Sequence, residues 1–102
     1  MSENEAPPLA APLTPGSITA DHLDGLVAGT GIKGKEAIQA LHDHLVKSEP
    51  AAAVIARAGF TKAHFYSRVK IIEKAHQYAA RMSQYYEPTA EGVRVRPVTT
   101  QG

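Results

Sequence analysis

Lys62, His64, Tyr66, Ser67 and Lys70 bring two cations, an imidazole and two hydroxyls together, with no carboxylate between Glu49 and Glu73. Groups of this kind donate to phosphate oxygens and to base edges, so their chemistry is recognition of a polyanion rather than bond making. Arg57, Thr61, Arg68 and Lys74 extend the set. Lys62, Tyr66 and Ser67 are expected at bases, and Arg57, Arg68, Lys70 and Lys74 at phosphates. The net charge of +1 hides the asymmetry behind this reading. Residues 1–50 hold three lysines against seven acidic residues, whereas residues 51–82 hold six basic residues against Glu73 alone. A concentration of cations on one segment is the footprint of a polyanion-binding face, and equally that of a solvated helix surface.

To present those side chains together, residues 62 to about 85 must form one helix, with Phe65, Val69, Ile72, Ala79 and Met82 as its inner stripe. Thr61 is its expected N-cap, and Gly59 stands where a preceding helix would end in a left-handed residue. Ala51 to Ala58 forms that preceding helix, with Pro50 at its start. Helix, tight turn and helix then close over Val54, Ile55, Ala58, Phe60, Phe65 and Val69, the spacing of a helix-turn-helix. Ile55 is larger than the residue usual at the closest approach and implies a wider crossing. Two further helices are expected, from Thr19 to about Ala28 and from Lys35 to Val46, separated by a Gly29, Gly31 and Gly34 turn.

The fold class expected is therefore all-α, a small helical domain with a helix-turn-helix and a long C-terminal helix. Its domain spans 17–87. Residues 1–16, rich in proline and poor in bulky apolar side chains, are expected to be a disordered arm. Residues 88–102 are expected to be a flexible tail, although Val93-Arg94-Val95-Arg96 alternates as an edge strand would.

Other chemistries find little support. The chain lacks Cys, and His42 and His44 lie two apart on a helix, pointing to different sides, so no metal and no cofactor are expected. Neither a nucleophile elbow nor a phosphate loop is present, and an enzyme is not expected. No apolar run is long enough to span a membrane, and the start Met1-Ser2-Glu3-Asn4-Glu5 is acidic where a secretory signal would be basic. A cytoplasmic protein follows as the expectation.

The segment from Leu45-Val46 to Tyr85-Tyr86 resembles the PapB-like adhesin-biosynthesis regulators of fimbrial operons. The likeness rests on Leu45-Val46-Lys47, Val54-Ile55, Phe65, Ala79-Ala80-Arg81 and the closing tyrosine pair. Through Pro50, Ala52, Gly59-Phe60-Thr61-Lys62 and Val69 the same segment is similar to the KorA/TrfB plasmid repressors. Both resemblances imply a helix-turn-helix transcription regulator, a repressor among them, that binds double-stranded operator DNA as a dimer or higher oligomer. They differ at the contacts. The fimbrial group carries an Arg near the start of the first motif helix where Ala51 stands here, whereas Lys62 matches the basic residue that opens the plasmid group's reading helix.

The long helix outruns what a reading helix needs, and its apolar positions continue through Ala75, Ala79, Met82 and Tyr86. Leaving large side chains there in water forgoes about 1.5–3 kcal/mol each. Either a second copy covers Met82, Tyr85 and Tyr86 as a homodimer, or Leu23, Leu26 and Val27 fold back over the stripe. The rival to a DNA-binding function is a helical protein-interaction module.

Overall fold

Thr19 and Thr61 start two helices in the same way. Each sits in extended backbone with its hydroxyl accepting an amide N–H three residues on, from His22 at 3.1 Å and from His64 at 3.0 Å, which satisfies a donor that the first helical turn leaves open. The computed structural model describes residues 10–98. Helix α1 spans Ala20–Ala28 and α2 spans Lys35–Leu41, the latter running on into a π-helical turn at His42–Val46. Helix α3 spans Ala51–Ala58, α4 spans Lys62–Ser83, and strands β1 (Tyr86–Thr89) and β2 (Gly92–Val95) follow. The arrangement is a helical domain with a small two-stranded antiparallel sheet.

Between α3 and α4, Gly59 adopts φ 78°, ψ 16° and returns its N–H to the Ile55 carbonyl at 3.0 Å. That left-handed residue turns the chain sharply enough for α4 to cross α3. Phe65, Val54 and Ala40 fill the crossing. A second group unites Leu23 and Leu26 of α1, Ile32 of the following loop, Ala37, Leu41 and Leu45 of α2 and its π turn, and Ile72 of α4. Phe60 and Val69 touch both groups and join them. Ile72 and Ala75 are thus covered by α1 within the chain, while Ala79 beyond them stays exposed.

Two expectations are corrected. The arm is not disordered over residues 10–16; residues 1–9 lie outside the described residues. Leu13 packs on the core, its N–H donates to Glu73 at 2.9 Å, and the Gln77 amide exchanges two hydrogen bonds with the Ala10 backbone. Gly16 donates to the His44 carbonyl at 3.2 Å, and a side chain there would meet Ser48 at 2.9 Å. The arm's own composition is too apolar-poor to order it; side chains of α4 supply what it lacks. The tail is not structureless either, because residues 86–95 form a hairpin with Tyr86 opposite Val95 and Glu87 opposite Arg94, so the domain is not purely all-α. Val93-Arg94-Val95 finds its partner in the residues that close α4.

The two corners of this architecture carry different costs when altered. Phe65→Ala is expected to lose about 3–5 kcal/mol, as large aromatic deletions from a core do. Gly59→Ala meets no atom within 4 Å of the added Cβ and should lose only the conformational term, about 1 kcal/mol. Urea denaturation measures both. An unchanged midpoint for Gly59→Ala would show that the left-handed turn does not hold the motif closed.

Candidate nucleic-acid interface

Helix α4 buries Phe65 and Ile72 and turns most of its remaining surface outward. On a helix of 3.6 residues per turn, Lys70, Lys74 and Arg81 fall within about 40° of one another, with Ala63 and Ser67 on the same stripe. All five are exposed. None of the three cations is in an ion pair among the described residues. Arg81 is a residue that sequence reasoning missed, and its place seven residues after Lys74 is the signal that would have found it.

The structure gathers some of the expected site residues and separates others. Lys62 and Tyr66 lie at one border of the stripe, where Tyr66 is 44 % exposed and meets the Phe65 ring edge-on at 5.3 Å. Pro12 of the arm, with Tyr66, Val69, Lys70, Glu73 and Gln77, lines the cleft on that side. His64 lies at the opposite border, its ring stacked on Phe60 at 5.2 Å and 10°. The Ser67 hydroxyl donates to the His64 carbonyl at 3.2 Å, and the residue is exposed. Thr61 is committed to capping α4. Arg68 stands apart, facing Gly31, Ile32 and Lys33 in the loop between α1 and α2.

Arg57, expected at a phosphate, is held elsewhere. The end of α3 brings its guanidinium over the π turn, where it donates to Asp43 at 2.9 Å and to Glu49 at 2.6 Å. Two carboxylates thus offset its charge, while its side chain stays 53 % exposed. Asp43, only 7 % exposed, also accepts from Gln39 at 3.0 Å and faces Lys47 at 3.6 Å. Burial alone would raise its carboxyl, but the hydrogen bonds from Gln39 and Arg57 and the charges of Arg57 and Lys47 bring it below its ordinary 3.8.

The histidines are dispersed. His42 meets Asp24 at 2.7 Å, a His44 ring nitrogen meets the Glu49 carbonyl at 2.8 Å, and His76 meets the Ala11 carbonyl at 3.0 Å. Among the described residues, no group of three or more His, Cys, Asp or Glu is placed to hold a metal ion. Tyr85 and Tyr86 are 53 % and 42 % exposed and Met82 is half-buried. With Pro88, Val93 and Val95 on its outward face, the hairpin continues their apolar surface.

No family model and no curated protein matches the chain. Among solved structures it is similar to E. coli FocB, with a TM-score of 0.72 and 21% sequence identity over 74% of this chain and 86% of that one. That likeness establishes a shared fold. No helix among the described residues is long and apolar enough to cross a membrane.

The Asp43–Arg57 tie has a measurable acid signature. A carboxylate whose folded pKa lies below its unfolded value contributes stability above the unfolded value and loses it as pH falls through the folded one. Wild-type stability should therefore drop as pH falls below 3.8, and Asp43→Asn, less stable near neutrality, should show a shallower drop. Urea unfolding followed from about pH 7 to about pH 2 reads the difference. Parallel curves would mean that Asp43 contributes nothing through its charge.

Proposed function

We propose that the chain is a sequence-specific DNA-binding transcription regulator that uses α3 and α4 as a helix-turn-helix. The observation that carries this reading is the outward stripe of Ser67, Lys70, Lys74 and Arg81 on α4, cationic and unpaired among the described residues, directly after a capped left-handed turn. Ser67, Tyr66 and Lys62 meet base edges, while Lys70, Lys74 and Arg81 meet phosphates. Arg57 leaves the contact set. The resemblance to PapB-like fimbrial regulators and to KorA/TrfB plasmid repressors supports operator binding in a plasmid or fimbrial operon, and the shared fold with FocB is consistent with the first of these. A cytoplasmic location follows from a partner that is chromosomal or plasmid DNA.

The regulator acts as a homodimer through Met82, Tyr85 and Tyr86, joined by the apolar face of the hairpin. An isolated two-stranded hairpin is marginal in water, and Val93 and Val95, 70 % and 61 % exposed, gain most from a second copy. The same exposed face favours the second reading, a helical protein-interaction module that binds no DNA. Retention on heparin with a steep salt dependence separates the two, since only the DNA-binding reading predicts it.

Selection from random duplexes supplies the operator, and two substitutions then test the roles. Lys74→Ala should weaken binding to all sequences alike and lower the salt slope by about one, whereas Ser67→Ala should change the preferred sequence. The reverse pattern would refute the assignment. For assembly, light scattering at micromolar concentration should report a dimer that Tyr86→Asp converts to a monomer with weakened binding to a palindromic site. Full affinity in a monomeric Tyr86→Asp would remove the dimer from the mechanism.

A further inference from the structure

The glycine-rich loop between α1 and α2, which faces Arg68 and sends Ile32 into the core, is firmly built. The Thr30 hydroxyl donates to the Val27 carbonyl at 2.8 Å and accepts the Ile32 N–H at 3.1 Å, and the Ile32 side chain is buried in the core. Gly31 and Lys33, on either side of that anchor, are exposed. The loop meets α4 along two adjoining clefts. One is lined by Gly31, Ile32, Lys33, Arg68 and Ile71, and the other includes Gly31, Ile71 and Lys74.

No carboxylate lines either cleft. Clefts on other sides of the domain carry Glu36 and Asp43, Asp24, or Glu73. Lys33, Arg68 and Lys74 thus surround an acid-free depression, and none of them is ion-paired among the described residues. Uncompensated cations around a concavity attract a polyanion and release its counterions on contact. The depression continues the Ser67–Lys74 face around α4 by way of Ile71. At its floor Gly31 has open space where a side chain would stand, and its φ lies outside the left-handed region. The fold would accept a side chain at Gly31; its absence leaves room for close approach.

We propose that Lys33 and Arg68, on opposite banks of this depression, hold a backbone phosphate of the duplex whose bases lie at Ser67, making the glycine-rich loop a second docking element for DNA. The proposal rests on the reading of α4 as the DNA-binding helix. Because phosphates carry no sequence information, the loop sets affinity and register rather than preference.

Fluorescence anisotropy with a labelled mixed-sequence duplex, titrated at several salt concentrations, tests this on the full chain. Lys33→Gln and Arg68→Gln should each lower the salt slope by about one. Gly31→Glu should weaken binding well beyond Gly31→Gln, which matches it in size and controls for folding together with circular dichroism. Lys35→Gln, beside Asp24 and Glu36, should leave the slope unchanged. If Lys33→Gln keeps the wild-type slope and the two Gly31 variants bind alike while Lys70→Ala still lowers the slope, the loop proposal falls and the reading of α4 stands. If the wild-type chain shows no salt-dependent duplex binding, both fall. Saturable binding of inorganic phosphate that Lys33→Gln abolishes, with duplex affinity untouched, would mark a free-phosphate site and overturn the DNA assignment.

Discussion

The burial of Phe65 between α3 and the end of α2 is the constraint on which the rest depends. Both phenylalanines of the chain stand beside the turn that joins α3 to α4. Phe65 fills the crossing with Val54 and Ala40, and the His44 ring meets it edge-on at 5.5 Å. Phe60 touches both core groups and supports the His64 ring. A domain of this length buries too little surface to be robust by area alone. Placing its aromatic volume at one helix crossing fixes the direction of α4, and with it the azimuth of every exposed residue on that helix.

The same packing engages acidic residues of the first half away from the outward face of α4. Asp43 and Glu49 hold Arg57, and Asp24 holds His42. Surface pairs of this kind contribute little individually, but Asp43 is largely buried, and its guanidinium partner ties α3 to the π turn. The outward face of α4 is left with cations and hydroxyls.

Helix starts and the turn were legible because their causes are local. Thr19, Thr61 and Gly59 act within a few residues of themselves, and the three- and four-residue steps from Leu23 to Leu26 and from Phe65 through Val69 to Ile72 mark the buried faces. What escaped the sequence depends on partners far along the chain. Residues 10–16 are ordered by Glu73, His76 and Gln77, about 60 residues later, so the arm's proline-rich composition pointed the wrong way. Arg57 looks like one more cation of a basic segment until the crossing angle carries it to Asp43. Arg68 belongs to α4 by number but lies about 100° round the helix from Ser67, beside the loop between α1 and α2. The hairpin's second strand was visible as an alternation, and its first, Tyr86-Glu87-Pro88-Thr89, was hidden by a proline that suits an edge position.

Glu73 is the one carboxylate of the basic segment, and both its oxygens are occupied, by the Leu13 N–H at 2.9 Å and the Gln77 amide at 2.8 Å. Anchored to the arm, it does not reach back to Lys70 or across to Lys74. Among the described residues, Lys70, Lys74 and Arg81 thus have no ion pair that an arriving polyanion would have to break. For a DNA-binding chain the effect is kinetic. Cations free of local ion pairs speed encounter with duplex and let a bound protein slide along the backbone before it stops at a site. On the proposed DNA-binding reading, the docked arm thereby influences how fast a target is found.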